Sequence, residues 1–380
     1  MAPPRDQATL AEGRITDEGI ADLRARIGTP LRHLDRSVMV TQEWIDRFAL
    51  GIGDINPLWT DPWYARRTRH EGTIAPPTIA FSLGGWDIGT GLPGVHALYT
   101  GCEIEWEDVI RPGDAIESHG HPCEITEKQG AFAGRSVLQG TETVFERNGQ
   151  TVARMRNFNL RTERGAARER GSQQHVEHAS YTPEELRKLE LRILRHSLRG
   201  DQPRDGADVE AGESLPEVVK GPLTATDVIG FMRGGFGGIL EGMFMYAHET
   251  ATIWRHRHPS AVILSPWGYA DSPEAVHWDD DLARRAGAPA AYDLGPQRIA
   301  WMAQCVTSWM GDDGFLERLA VRVRKFVIMG DIVSCSGEVS EVSGGDDSVR
   351  VTIALTATNQ RGELVADGTA VVVLPAGRRR

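Results

Sequence analysis

The stretch "GIGDINPLWTDPWYARR" (residues 51–67) decides how this chain is read, because part of its frame returns further along. "WTDPWYAR" (59–66) parallels "HWDDDLAR" (277–284), 218 residues later. Three more matches keep the same order. "VTQEWIDRF" (40–48) parallels "LTATDVIGF" (223–231), 183 residues apart. "RPGDAIES" (111–118) parallels "IMGDIVSC" (328–335), 217 apart, and "ERNGQTVA" (146–153) parallels "NQRGELVA" (359–366), 213 apart. Self-similarity in a fixed order marks a duplicated unit. The change of spacing from 183 to 218 puts about 35 extra residues between Met232 and Asp271 of the second copy.

The two halves also share a plan. Helical pieces come first, including a longer apolar segment, "PPTIAFSLGGW" (76–86) and "GPQRIAWMAQCVTSWM" (295–310). Alternating runs follow and read as strands. They are "ALYTGCEIEW" (97–106), "SVLQGTETVF" (136–145) and "RMRNFNLRT" (154–162), then "RVRKFVI" (322–328), "SVRVTIALTAT" (348–358) and "GTAVVVL" (368–374). Helix followed by an antiparallel meander is an α+β pattern. One long helix wrapped by such a sheet is a hot-dog unit, and two copies give a double hot-dog. The expected domains are 1–162 and 221–380, the second with its insert at about 232–270. Between them, 163–220 is a linker containing a helix. "TERGAARERGSQQHVEHAS" (162–180) is polar and aperiodic, and "YTPEELRKLELRILRHSL" (181–198) reads as a helix with Thr182 as cap, Pro183 in its first turn and Glu185 closing a capping box.

Bulk properties exclude several classes. The 380 residues suit two domains of ordinary size. Net charge of −11 gives no support to nucleic-acid or anionic-membrane binding. No apolar run approaches a membrane span, and "MAPPRDQATLAEGR" (1–14) has no signal-peptide core. Cys102, Cys123, Cys305 and Cys335 are scattered without a CxxC pair, which reads as reduced cytoplasmic thiols. His248, His256 and His258 in the insert carry no metal pattern, since His256 and His258 point opposite ways on a helix or strand. "RGGFGG" (233–238) has no strand–turn–helix context for nucleotide binding. The ten tryptophans, Trp86, Trp106, Trp254, Trp267, Trp278, Trp301 and Trp309 among them, read first as core and second as walls of a wide acyl pocket.

The run Gly53-Asp54-Ile55-Asn56-Pro57-Leu58-Trp59-Thr60-Asp61, with Ala65 beyond it, resembles the signature loop G-D-x-N-P-[LIV]-H-x-D-x-x-x-A of MaoC-like (R)-specific enoyl-CoA hydratases and dehydratases. "IAPPTIAFSL" (74–83) and "RPGD" (111–114) fit the same family. The chain is most similar to two-domain proteins with an N-terminal FAS1-like dehydratase half, well over about 15–160 and loosely over 220–375. The resemblance implies a double hot-dog that processes acyl thioesters of CoA or a carrier protein, as a homodimer, with no cofactor or metal beyond the CoA of the substrate. It also implies an Asp–His pair that shares one water, an Asn that orients the loop, and backbone N–H groups at the central helix that hold the thioester oxygen.

The chain departs from that pattern in both halves. Asp54 and Asn56 are present, but Trp59 replaces the histidine and cannot relay a proton. In the second half His277 is present, while Ser272 and Glu274 stand at the Asp and Asn positions. Asp54, His277 and Asp293 are therefore the candidate catalytic groups. Asn56, Trp59, Asp279, Gly295 and Arg298 are the candidate substrate-binding residues. Each has a plainer role: Asp54 as a loop carboxylate bonded to Asn56, Trp59 as a core ring, His277 bonded to Asp279 or backbone, Arg298 in an ion pair. A lone carboxylate suffices to activate water for thioester hydrolysis, so a thioesterase is the first expectation. A hydratase or dehydratase, needing His277 and a carboxylate from Asp271, Asp279 or Asp293, is the second. A non-catalytic acyl-CoA-binding partner subunit is the third.

Overall fold

The computed structural model describes residues 13–84, 90–130, 134–163, 176–235, 248–257, 259, 262–264, 268–345 and 347–377. In chain order the helices are α1 (Asp17–Ala25), α2 (Gln42–Gly51), α3 (Pro57–Thr60), α4 (Pro62–Ala65), α5 (Pro183–Leu194), α6 (Ala225–Gly235), α7 (Glu249–Arg257), α8 (Asp280–Ala286) and α9 (Gly295–Met310). The strands are β1 (Arg36–Met39), β2 (His96–Trp106), β3 (Ala115–Gly130), β4 (Gly134–Arg147), β5 (Gln150–Thr162), β6 (Val218–Lys220), β7 (Ile263–Leu264), β8 (Ala270–Asp271), β9 (Phe315–Val323), β10 (Val333–Gly344), β11 (Ser348–Asn359) and β12 (Leu364–Pro375).

Ten strands form one antiparallel sheet in the order β1-β3-β4-β5-β2-β9-β12-β11-β10-β6. The order is a palindrome: each half contributes five strands, and β2 meets β9 at the centre with Ile104 opposite Leu319. At that seam Gly101 has φ +144, and a Cβ there would lie 2.1 Å from the Val321 carbonyl oxygen, so glycine permits the join. Turn contacts repeat as well. Val40 N–H bonds Asp114 O and Gly113 N–H bonds Val40 O, each at 2.8 Å. Leu223 N–H bonds Asp331 O at 2.9 Å and Gly330 N–H bonds Leu223 O at 2.8 Å. Asp114 accepts from Arg147 and Asp331 from Arg361, so each x-G-D turn is tied to its neighbouring hairpin.

Helices α2 and α6 pack reciprocally. A Cβ on Gly51 would lie 2.7 Å from the Gly230 carbonyl oxygen, and one on Gly234 would lie 2.6 Å from the Arg47 carbonyl oxygen. Between them Phe48 and Phe231 stack tilted, with ring centroids 6.3 Å apart. Each of these residues sits 183 positions from its counterpart, so the two halves meet across an internal twofold.

The halves differ at their centres. Helix α9 is long, and every side chain from Pro296 to Met310 is buried. Its expected counterpart at 76–86 is only a 3-10 turn, Pro77–Phe81. Gly84, at φ +98, cannot continue a right-handed helix, and the remainder, including Trp86, lies outside the described residues. The expected strand at 322–328 ends at Val323, while β3 and β10 escaped the sequence reading. Helix α5 has its capping box, with Glu185 and Thr182 bonding each other's backbone. Strand β6, at 218–220, pairs with β10, so the sheet reaches into the segment expected as linker. Trp267, His258 and much of the 232–270 insert lie outside the described residues. Trp106, Trp301 and Trp309 are buried in the main core. Among the described residues, no helix is long and apolar enough to cross a membrane, and no cluster of three or more metal-ligating side chains occurs.

Candidate active site

Both versions of the signature loop fold alike. In the first half Asp54 Oδ1 accepts from Asn56 N–H at 3.1 Å, and Asn56 Oδ1 caps α3 through Leu58 N–H at 2.9 Å. In the second half Ser272 Oγ accepts from Glu274 N–H, also at 3.1 Å. That bond starts the 3-10 turn Pro273–His277. Side chains three apart on a 3-10 turn eclipse one another. Glu274 and His277 therefore face each other, with Oε2 3.3 Å from Nε2.

That carboxylate–imidazole contact was missed as a pair, because Glu274 aligns with the loop's asparagine. The i,i+3 spacing behind "SPE" was the signal that could have found it. Both residues are 8% exposed. His277 Nδ1 lies 2.8 Å from the Tyr292 carbonyl oxygen. A carbonyl only accepts, so Nδ1 carries a proton and Nε2 faces Glu274. Contact between the two groups then requires one further proton shared between them.

The remaining second-half candidates have other work. Asp279 caps α8 by accepting from Leu282 N–H at 3.0 Å and does not reach His277. Asp293 and Arg298 are 1% exposed and bind each other through two bonds, one of them 2.8 Å from Nε to Oδ2. Burial pushes the Asp293 carboxyl up, and the guanidinium opposes this. Arg298 Nη1 also donates to the carbonyls of Lys325 and Val365 at 2.7 Å. The pair is thus a saturated strut between α9 and the sheet, so the candidate base Asp293 and the candidate substrate-binding Arg298 are both committed to each other.

Gly295 opens α9 three residues after Tyr292. Its preceding residue, Leu294, has no side-chain acceptor, and the Tyr99 ring lies so close that a Cβ on Gly295 would fall 2.5 Å from Cδ1. The backbone N–H groups of Gly295 and Gln297 therefore stand in the first turn with the positive end of the helix dipole. In the first half Gly295 is matched by Pro77, which has no N–H, and Gln297 by Ile79, whose N–H is bonded to Pro76 O at 2.9 Å.

Asp54 is closed off. It is 4% exposed, and Trp59 Nε1–H donates to its Oδ2 at 3.0 Å. The indole thus takes the place of an imidazole but supplies only a fixed donor. Burial raises the Asp54 carboxyl, against the Trp59 bond and the nearby Lys220. Lys220 Nζ caps α2 through the carbonyls of Ile52 at 2.9 Å and Gly53 at 2.7 Å. Burial pushes its ammonium down to about 8. Lys220 and His196, which bonds Ser308 at 3.0 Å, were not foreseen.

A cavity of about 550 Å3, counting the part open to solvent, lies against Trp59 on the first-half side. Its other end is formed by Thr307, Met310 and Asp312 from the end of α9 and the turn after it. Asp54 does not line it.

Residues 25–155 match the family described as FAS1-like, dehydratase domain region. A UPF0336 protein of Streptomyces coelicolor is 28% identical over 120 residues, 30% of this chain and 77% of that protein. A MaoC-like dehydratase structure superposes with TM-score 0.61 at 17% identity, over 93% of this chain and all of that one. A putative MaoC domain protein dehydratase of Chloroflexus aurantiacus gives 0.56 at 11%, over 93% and 96%. A Mycobacterium tuberculosis protein described as a double hotdog gives 0.55 at 11%, over 95% and 100%. The fold is the double hot-dog seen in these structures, and residues 25–155 are similar to the FAS1-like dehydratase region.

Proposed function

We propose that this protein is an enzyme that adds water to, or removes it from, an acyl thioester of CoA or a carrier protein. In this reading it is a hydratase/dehydratase whose acid–base pair is Glu274 and His277. One observation carries the reading: a buried carboxylate–imidazole pair is held just ahead of the N-terminus of the long helix. The match of the first half to a dehydratase region supports it.

In the hydration direction, the thioester oxygen lies at the first turn of α9, where the N–H groups of Gly295 and Gln297 stabilise the charge that develops there. Glu274 takes a proton from water as its oxygen bonds C3. Imidazolium His277 gives the Nε2 proton to C2. The proton on Glu274 then returns to Nε2 across their contact, and the pair is reset. Dehydration runs the same steps backwards.

Hydrolysis by Asp54 or Asp293 draws less support, because both oxygens of each carboxylate are already bonded to protein donors. The test is a panel of saturated and 2-enoyl CoA esters, following enoyl absorbance and free thiol in parallel. Loss of enoyl absorbance without thiol is expected. Thiol release instead would make the enzyme a thioesterase, and silence in both with tight ester binding would make it a binding subunit.

A further inference from the structure

The first-half cavity lies where the internal repeat places a second copy of the proposed site. Asn56, Trp59, Ala75 and Pro77 line it, each 218 residues before Glu274, His277, Asp293 and Gly295. The backbone agrees: Ala75 N–H bonds Ile110 O at 2.8 Å, as Asp293 N–H bonds Val327 O at 2.9 Å. Everything the chemistry needs has gone from this copy. The imidazole is an indole, the carboxylate is sealed behind it, Pro77 has no N–H to offer, and the Ile79 N–H is already bonded to Pro76 O. The space has not closed.

We propose that this cavity is a ligand site of its own, taking an uncharged amphiphile: an apolar chain or ring body carrying one hydroxyl or carbonyl group. Its walls are apolar, with Leu58, Ile79, Trp106, Met310 and Leu316 among them. Its polar end is His70 and Asp312. His70 Nε2 lies 3.1 Å from the Asp312 carbonyl oxygen, and Tyr64 O–H donates to Asp312 Oδ2 at 2.7 Å. Burial lowers the proton affinity of His70 and raises that of Asp312.

An anionic head is disfavoured, because among the described residues no lysine or arginine lines the cavity and the carboxylates that do are Asp108 and Asp312. A cationic head finds Asp108 already paired with Arg147 and Asp312 already bonded to Tyr64. The occupant is either a free compound of this chemistry or the acyl end of a thioester.

Trp59 and Trp106 report the site directly. The intact chain is titrated with decan-1-ol, decanoate and decylamine, reading tryptophan fluorescence, with calorimetry as a second readout. Saturable decanol binding at least tenfold tighter than decanoate or decylamine is expected. Ala75→Leu, which fills the cavity, should abolish it. Should that variant misfold, Leu316→Phe replaces it. No saturable binding, binding unchanged in a folded cavity-filled variant, or a charged ligand winning would overturn the proposal. Displacement of decanol by a decanoyl thioester identifies the acyl end as occupant, and failure to displace identifies a free compound. Glu274→Gln should keep decanol binding, so loss of hydratase activity and loss of this site are read separately.

Discussion

Residues 54–81 and 272–299 are the same loop and helix start, built twice with opposite contents. The first pairs a carboxylate with an indole and begins its turn on two prolines. The second pairs a carboxylate with an imidazole and begins a long helix on a glycine. Several backbone bonds recur, Asp61 N–H to Pro57 O with Asp279 N–H to Ala275 O among them, and so does the side-chain acceptor that takes the N–H two residues on. A scaffold of turns and ladders can thus stay fixed while one copy sets an indole and the other an imidazole against its carboxylate. In the second copy the carboxylate stands at the loop's Asn position and a serine at its Asp position.

The sharpest break of this comparison is kinetic. Glu274→Gln and His277→Asn should each lower hydration of a 2-enoyl CoA about 10²- to 10⁴-fold, while Asp54→Asn leaves the rate near wild type. An Asp54 variant as impaired as Glu274→Gln would reverse the roles of the halves. Next is Asp293→Asn. It leaves Arg298 buried and half-paired where the first half has Ala75, and should cost about 3–5 kcal/mol in denaturant unfolding. A cost near zero would mean that the strut is dispensable.

Gly51→Ala and Gly234→Ala should each destabilise by about 1–3 kcal/mol, since either methyl meets backbone of the opposite helix. Unequal costs would show the internal twofold to be only approximate in energy. Trp59→Phe strands Asp54 Oδ2 and should cost about 1–3 kcal/mol. Trp59→His recreates the Asp–His pairing, yet should add no activity to a Glu274→Gln background, because Pro77 offers no N–H and that of Ile79 is bonded to Pro76 O.

The smallest effect is one of pH. The Lys220 ammonium is held at about 8 in the fold, against 10.5 in the open chain. Between those values the unfolded chain binds the extra proton, so stability rises with pH there. Below about 8 the full penalty of the buried ammonium is present. Relative to Lys220→Met, the wild type should gain about 1 kcal/mol per pH unit across that window. A flat difference in urea midpoints would refute it.

The fold was legible because its turns are written in few residues. The x-G-D turns at 112–114 and 329–331 need glycine at positive φ, and Gly113 and Gly330 have φ +93 and +86. The first central helix was misread because apolar content at 76–86 matches a helix, while the stop at Gly84 is a backbone property. Of the site, His277 and Gly295 were visible in sequence, as were the plain roles of Trp59 and Arg298. Glu274 was hidden by its alignment to an asparagine. His70 and Asp312 were hidden because they lie 242 residues apart and meet only after α9 is laid against the first half.

The reciprocal seating of α2 on α6 has one more consequence. Two separate copies meeting across a twofold must carry every substitution twice, and they part on dilution. Here the halves are covalently tied, so their encounter is set by the length of the tether and not by protein concentration. A change on one side of the axis is made once. The chain can hold an acid–base pair on one side of its axis and a bare pocket on the other without ever sorting the two kinds of half from each other.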